Sequence, residues 1–218
     1  MADNKNYQSH WDQVYNNTEV CRLGWYESTP EPSLQLIREC RLPQDAALLA
    51  VGAGATTLVD ELLAAGFHNI IVNDISPLAL EKLKQRLGGE KDKVRWVIDD
   101  LTRPRALQSI GPVDLWHDRA VLHFFNEKEE QEAYFNLLKK LVKPGGFVIL
   151  AAFHLNGAAK CSGLPVHRYD QQMMAEKLGS CFELQQAFEY THTMPSGDKR
   201  EYIYTLFEKN KWKTYNLA

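Results

Sequence analysis

Residues 48–56, Leu-Leu-Ala-Val-Gly-Ala-Gly-Ala-Thr, run from an apolar segment directly into two closely spaced glycines. A second apolar run, Ile70-Ile71-Val72-Asn73, ends in the acid Asp74. This spacing predicts a strand, a turn without side chains, a returning helix and a second strand that stops at a carboxylate. Backbone at such a turn can approach a ligand closely, and the acid can accept two ribose hydroxyls. We therefore expect a site for a cofactor that contains adenosine.

The same alternation of apolar strands and helical segments continues along the chain. Strands are predicted at residues 48–51, 70–72, 94–98, 113–117 and 147–153. Helical spacing of apolar residues, together with start and stop signals, predicts helices at 31–40, 58–66, 76–87 and 127–142, the last ended by Pro144-Gly145-Gly146. Near-continuous apolar strands separated by helices indicate a parallel sheet covered on both faces. The predicted fold class is α/β, doubly wound and mostly parallel.

The C-terminal part breaks this rhythm. After a polar loop at 156–169 and a short helix near 171–178, two strand-like segments at 182–190 and 202–207 follow without a helix between them. The turn residues Pro195 and Ser196-Gly197-Asp198 separate them, which predicts an antiparallel hairpin on the sheet edge. We expect a single domain over 1–218, with an N-terminal helical and aromatic lid (1–40), a cofactor-binding core (45–153) and a substrate loop with the hairpin (154–218).

Composition narrows the function classes. Hydrophobic residues make up 44% of the 218 residues, and the formal net charge is −3 without a block of basic residues, so a nucleic-acid partner is not favoured. No apolar stretch reaches the roughly 18–20 residues that span a bilayer, and the polar N-terminus has no signal-peptide pattern. The four cysteines are scattered without a C-x-x-C pair, so neither a disulfide framework nor a metal site is expected. We expect a cytoplasmic protein without membrane attachment, of unknown oligomeric state.

The ordered motifs resemble those of the class I S-adenosylmethionine-dependent methyltransferases. That resemblance implies a seven-stranded sheet whose last strand is antiparallel, helices on both faces, and S-adenosyl-L-methionine as cofactor. In this family, an acid, an apolar residue and Gly-x-Gly-x-Gly form the first turn, which Val51, Gly52, Ala53 and Gly54 match. The chain departs from the family at Ala50, where the acid is common, and at Thr56, which replaces the third glycine. The resemblance implies that the missing acid removes a polar contact near the methionine part of the cofactor.

The resemblance also implies roles for residues at the ends of the later strands. Asp74 with Ile75 matches the ribose-binding acid, and Asp100 with Leu101 fits the pair that binds the adenine amine and packs on the ring. His117 ends the fourth strand at the position that faces the sulfonium. Each signal has a structural alternative: a plain tight turn at 52–54, a helix cap at Asp74, and loop acids at 99–100. Their common order at strand ends favours the binding interpretation.

An aromatic segment precedes the sheet. Trp11 and Tyr15, followed by Trp25 and Tyr26, are similar to the W-x-x-x-Y segment with which many methyltransferases cover their cofactor. Aromatic faces attract a sulfonium cation, and methyl transfer from a cation benefits when water is excluded. We predict Trp11, Tyr15 and Trp25 at the cofactor and Tyr26 at the substrate. The alternative is that these rings simply cover one face of the sheet.

Polar residues after the fourth and fifth strands are the candidates for catalysis and substrate binding. Asp118 and His117 are the candidate general bases, needed only where the acceptor must lose a proton. The candidate substrate residues are Arg119, His123 and Arg168, although Asp118 and Arg119 can instead pair with each other to hold the loop. The spacing between Cys161 and His167, which follow the fifth strand, matches no common metal site.

Several functions remain open at this point. The expected reaction is methyl transfer to a small-molecule or side-chain nucleophile, with a small molecule weakly preferred because the aromatic cover suggests a closed site. A protein-lysine methyltransferase is the alternative. A nicotinamide dehydrogenase would also use a glycine turn and a ribose acid, but it would usually show Gly-x-Gly-x-x-Gly, whereas position 57 is Thr57. A non-catalytic cofactor-binding module is the last possibility, motivated by Ala50.

Overall fold

Apolar strands and amphipathic helices assemble into one seven-stranded sheet in the computed structural model, which describes residues 7–211. The strands are β1 (Leu48–Val51), β2 (Ile70–Asp74), β3 (Val94–Ile98), β4 (Val113–Arg119), β5 (Val142–Phe153), β6 (Phe182–Thr193) and β7 (Lys199–Lys209). The helices are α1 (Tyr7–Asn17), α2 (Glu31–Glu39), α3 (Leu58–Ala64), α4 (Pro77–Leu87), α5 (Lys128–Leu141) and α6 (Gln171–Leu178). The described chain also contains short 3-10 turns and a small antiparallel ribbon of two strands, Lys160–Cys161 and Leu164–Pro165.

The strand order is β3-β2-β1-β4-β5-β7-β6. The first five strands pair in parallel, whereas β7 pairs antiparallel with both β5 and β6. This confirms the predicted fold class, including the C-terminal hairpin on the sheet edge. Because β1 lies between β2 and β4, the chain order reverses at β1, and ligands of open α/β sheets bind at such a switch point.

Two apolar layers cover the two faces of the sheet. One packs the buried side of α5 and α6 against Trp116, Leu150 and Phe207. The other packs α2, α3 and α4 against Leu48, Val72 and Ile149. Alternation along the buried strands supplies both layers, since neighbouring side chains point to opposite faces.

The end of α5 differs from the prediction. Pro144-Gly145-Gly146 was expected to stop this helix, but the helix ends at Leu141 and Val142 is already extended and paired with Val113. The pairing then shifts register between Val113 and Leu115, and Gly145 adopts a φ of 77° inside the bulged start of β5. These turn residues therefore shape an irregular strand rather than terminate the helix. Within residues 7–211, no helix is long and apolar enough to cross a membrane.

Candidate functional site

The glycine turn after β1 is held close against neighbouring side chains. Gly52 and Gly54 have φ values of 52° and 56°, which favour glycine. A Cβ at Gly52 would collide with Val121, and one at Gly54 would collide with the Tyr15 hydroxyl. The turn therefore needs glycine both for its backbone conformation and for the close approach of its neighbours.

Asp74 ties this turn to the end of β2. Its Oδ2 accepts a hydrogen bond of 2.7 Å from the Gly54 amide, and its Oδ1 accepts one of 2.8 Å from the Ser76 amide. The residue is only 6% exposed, and burial raises the pKa of its carboxyl to about 6, against the effect of the backbone hydrogen bonds. Ser76, and not Asp74, is the side chain that caps α4, through the Ala79 amide. The carboxylate can thus both shape the turn and face a ligand.

The two acids after β3 have different surroundings. Asp99 accepts backbone hydrogen bonds from Asp100, Arg105 and Leu107, which commits both of its oxygens to the loop. Asp100 uses one oxygen, Oδ1, for the amide and hydroxyl of Thr102. Both acids line the same cavity wall, and Asp100 Oδ2 is the carboxylate oxygen that these bonds leave unused, so Asp100 has the greater acceptor capacity for a ligand. Its role in binding the cofactor stays a prediction.

Aromatic rings cover the carboxyl ends of these strands. The Trp11 ring packs edge-on against Trp25, with 5.6 Å between centroids, and against Phe124, with 4.9 Å. Tyr15 is 4% exposed and lies 6.1 Å from Trp25 by the same measure. The Tyr7 hydroxyl donates to the Phe124 carbonyl and so fastens the start of α1 to the turn after β4. The rings of Trp11, Tyr15 and Trp25 therefore form an aromatic cover beside the switch point, and its role over a cofactor stays a prediction.

A cavity of about 720 Å³, partly open to solvent, lies under this cover. We call it the strand-end cavity. Of the residues predicted to bind cofactor or substrate, those in its wall are Trp11, Tyr15, Trp25, Gly52, Asp74, Ile75, Asp100, Leu101 and Arg119. Its mixed apolar and acidic wall suits a nucleoside, because the apolar side chains can pack on the base and the carboxylates can accept from its hydroxyls and amine.

A second cavity of about 600 Å³ lies against the glycine turn, and we call it the glycine-turn cavity. Its wall includes the predicted residues Tyr26, Ala53 and His117, and also Ala50. Trp25, Gly52 and Arg119 belong to the walls of both cavities, so the two adjoin at these residues.

Arg119 is buried between aromatic and acidic groups. Its Nε donates to the Tyr204 hydroxyl over 2.9 Å and lies 3.0 Å from Glu27 Oε2, and its Nη1 donates to the Trp25 carbonyl over 2.8 Å. The guanidinium also lies over the Tyr202 ring, 5.1 Å from its centroid. Arg119 therefore pairs with Glu27 rather than with Asp118. Its bonds to the Trp25 carbonyl and the Tyr204 hydroxyl connect the aromatic cover to β7.

Asp118 points away from both cavities, into the layer under α5. It is fully buried, accepts a 2.6 Å hydrogen bond from the Tyr134 hydroxyl, and accepts further bonds from the Val121 and Leu122 amides. Burial raises the pKa of its carboxyl to about 7 despite these bonds. This position suits a group that shapes the turn after β4, and no described cavity wall gives it access to a substrate.

We predict that Asp118→Asn changes how stability depends on pH. Because the folded-state pKa lies near 7 and the ordinary value is near 4, the folded protein keeps this proton while the unfolded chain releases it. The contribution of Asp118 to stability is therefore lost as pH rises from about 4 to about 7.

Chemical denaturation of both proteins across this range measures the effect. The free energy of unfolding of the Asn variant minus that of the wild type should increase with pH by more than about 1 kcal/mol. The comparison uses the variant minus the wild type because buried His117 and His123 also change stability over this pH range. Burial lowers their pKa values to about 3, so in both proteins they increase the free energy of unfolding as pH rises, which is opposite to the effect of Asp118. A constant difference would contradict the buried placement of Asp118.

The remaining predicted residues fall in three places. His117 lines the glycine-turn cavity, and its Nε2 lies 2.9 Å from the Ser33 hydroxyl. His123 is fully buried between the rings of Phe124 and Phe153, outside both cavity walls. Arg168 is exposed and donates to the carbonyls of Leu155 and Gly157. The structure thus does not bring His123 and Arg168 to the site. Within the described range, no group of three or more His, Cys, Asp or Glu side chains is placed to hold a metal ion.

Some residues of the site carried no usable sequence signal. Asn73 lines the strand-end cavity, and its buried Oδ1 has no hydrogen-bond partner among residues 7–211. Glu27 and Tyr204 reach Arg119 from distant parts of the chain. Period-two alternation along β4 was a signal that could have separated His117 from Asp118, since neighbouring strand residues face opposite sides.

Residues 49–148 match a protein family described as a methyltransferase domain. The chain is 23% identical over 157 residues to EEF1A lysine methyltransferase 2 of Mus musculus, a match that covers 66% of this chain and 64% of the mouse protein. It is 24% identical over 141 residues to phosphoethanolamine N-methyltransferase 1 of Triticum aestivum, covering 64% of this chain and 28% of the wheat protein. The chain thus spans less than two thirds of the length of either relative.

Solved structures share the whole described fold. A SAM-dependent methyltransferase from Anabaena variabilis superposes with a TM-score of 0.76 at 17% identity, covering 94% of this chain and 96% of that one. The N-methyltransferase NodS from Bradyrhizobium japonicum, in complex with S-adenosyl-L-homocysteine, gives a TM-score of 0.66 at 15% identity, covering 91% and 97%. These likenesses show the fold, which is the one that the resemblance to class I methyltransferases implies.

Proposed function

We propose that this protein transfers a methyl group from S-adenosyl-L-methionine to a small-molecule nucleophile, because residues 49–148 match a methyltransferase domain and the chain shares the fold of a SAM-dependent methyltransferase. The observation that carries the proposal is the strand-end cavity. Its wall brings together the glycine turn, Asp74, Asp100 and the aromatic cover at the switch point of the sheet. The whole of residues 1–218 is proposed to act as one domain.

The residues of this cavity fit an adenosyl group. Asp100 has acceptor capacity for the adenine amine, beside the apolar Leu101, and Asp74 offers carboxylate oxygens for the ribose hydroxyls. The orphaned Asn73 Oδ1 is a further acceptor in the same wall. Buried acceptors without a partner are costly, so a ligand that donates to them is favoured.

The protein's own contribution to the reaction is positioning and exclusion of water. S-adenosylmethionine supplies an electrophilic methyl group when it is bound. Trp11, Tyr15 and Trp25 shield the cavity from solvent, and aromatic faces stabilise a cation nearby. Holding the acceptor in line with the methyl group can account for much of the acceleration. His117 is the candidate base that lines a cavity, but burial lowers its pKa to about 3, which makes it a weak proton acceptor near neutral pH. The proposed transfer therefore relies on positioning, and Asp118 supports the turn.

We assign a small molecule as the acceptor because the site is a recess between aromatic rings and strand ends rather than a flat surface. Tyr7, Trp11 and Trp25 line the strand-end cavity, and the rings of Trp11 and Trp25 pack against each other. The wheat relative is named for a small acceptor and the mouse relative for a lysine acceptor, so a protein side chain is the alternative. The four cysteines are free thiols, which suits the reducing cytoplasm that we propose as the location.

Isothermal titration calorimetry with S-adenosylmethionine, S-adenosylhomocysteine and NAD tests this function. We expect one molecule of either adenosyl ligand per chain and no heat of binding from NAD. Transfer of a labelled methyl group to members of an acceptor panel then tests catalysis. Binding of NAD alone would refute the methyltransferase function and favour a dehydrogenase. Cofactor binding without turnover on small molecules or lysine peptides would favour a non-catalytic module.

A further inference from the structure

The Glu27–Arg119 ion pair contains charged atoms that the described protein leaves unsatisfied. The two side chains are 9% and 10% exposed, and Arg119 Nε lies 3.0 Å from Glu27 Oε2. The other carboxylate oxygen, Glu27 Oε1, and the terminal nitrogen Arg119 Nη2 are both buried without a hydrogen-bond partner in residues 7–211. Buried charged groups rarely remain without hydrogen bonds. The pair therefore offers one free acceptor and one free donor to a ligand.

His192 strengthens the case for a donor at Glu27. Burial lowers the pKa of His192 to about 4, so its ring is neutral at pH 7. Its Nε2 lies 3.0 Å from the Gly24 carbonyl and must donate there, because a carbonyl only accepts. Nδ1 is then an acceptor, and it lies 3.9 Å from Glu27 Oε1. Two acceptors face each other here, an arrangement that a group with several N–H donors would satisfy.

The pair lies in the wall of the glycine-turn cavity. Among its described lining residues, Glu27 is the sole carboxylate and Arg119 the sole permanent cation, and Ala50 contributes only a methyl group. Arg119 also borders the strand-end cavity, together with Trp25 and Gly52. A ligand that places a nucleoside in one cavity can therefore extend a zwitterionic end into the other.

Building on the proposed function, we propose that Glu27 and Arg119 bind the α-amino-acid end of the cofactor. Glu27 Oε1 accepts from the ammonium group and Arg119 Nη2 donates to the carboxylate. A primary ammonium has three donors, so it can also satisfy His192 Nδ1. Arg119, which the sequence had suggested for substrate binding, becomes a cofactor residue in this assignment, and Glu27 is a binding residue that no motif indicated.

The Glu27→Gln variant tests the proposal through three ligands that share a neutral thioether. S-adenosylhomocysteine carries the ammonium and the carboxylate, S-adenosyl-4-thiobutyrate lacks only the ammonium, and 5′-methylthioadenosine lacks both. The substitution should weaken S-adenosylhomocysteine about tenfold or more, as for loss of a charged hydrogen bond. Affinity for the other two should stay within about twofold, because neither presents an ammonium to residue 27. Glu31→Gln removes an equal charge from the exposed pair with Arg38 and should change none of the three.

The outcomes separate the two proposals. If the wild type binds none of the three ligands, the proposed function fails and this assignment fails with it. If the wild type binds them and Glu27→Gln affects all three equally, or none, only the Glu27 assignment is overturned. If thermal unfolding shows that the variant does not fold, the assignment is tested by the affinities of the wild type alone. In that case, S-adenosyl-4-thiobutyrate must bind at least about tenfold more weakly than S-adenosylhomocysteine.

Discussion

Replacing Asp74 with Ala is expected to weaken S-adenosylhomocysteine binding at least about tenfold, roughly 1.4 kcal/mol, as measured by titration calorimetry. The carboxylate is placed to accept from the ribose, and it also holds the Gly54 and Ser76 amides at 2.7 and 2.8 Å. The substitution therefore removes ligand acceptors and leaves two buried amides without a partner. Both effects lower affinity, the second by loosening the glycine turn.

Asp114→Ala is the matched control. Asp114 also accepts from a buried backbone amide, that of Ala47 at 2.8 Å, and it pairs with Lys143, but it lies near the start of β4, away from the site. This variant should lower the melting temperature without a change in affinity. An Asp74→Ala protein that folds and binds with wild-type affinity would remove Asp74 from the cofactor site.

Gly54→Ala is expected to abolish measurable cofactor binding and to destabilise the fold. At a φ of 56°, an alanine carries strain of about 1–2 kcal/mol. Its Cβ would also collide with the Tyr15 hydroxyl, with Tyr15 Cζ only 3.1 Å away. Either the turn or the aromatic cover must then move, and both line the strand-end cavity.

Gly111→Ala separates these two effects. Gly111 has a φ of 83°, and a Cβ there would meet nothing within 4 Å, so the variant reports the backbone strain alone. Denaturant unfolding should show a larger loss for Gly54→Ala than for Gly111→Ala. Adding Tyr15→Phe to Gly54→Ala should recover part of the difference. Equal losses for the two alanine variants would mean that Tyr15 does not rest on the turn.

The sequence predicted the parts of the site that are local to one strand end. The apolar runs predict two strands, the glycines at 52 and 54 permit the turn after the first strand, and Asp74 ends the second. Parallel pairing of the two strands then brings the turn and the acid to one edge of the sheet. The same holds for the two acids directly after β3, since Asp99 and Asp100 both lie in the wall of the strand-end cavity. In each case the informative residues are close in sequence to the strand that positions them.

Contacts between distant segments were beyond this reasoning. Arg119 meets Glu27 from the N-terminal segment and Tyr204 from the last strand, and no spacing in the sequence relates these three residues. Asp118 was chosen as a base because it is polar at a strand end, but alternation turns it toward Tyr134 and away from His117. Arg168 was favoured by its place after β5, whereas its loop directs it to nearby carbonyls.

A crystal structure with S-adenosylhomocysteine tests most directly whether the adjoining cavities hold an adenosyl amino acid. We expect the adenine beside Asp100 and Leu101, the ribose hydroxyls on Asp74, and the amino-acid end between Glu27 and Arg119. A nucleoside bound anywhere else, or a strand-end cavity closed by Tyr15 and Trp25 in the presence of saturating ligand, would contradict this account.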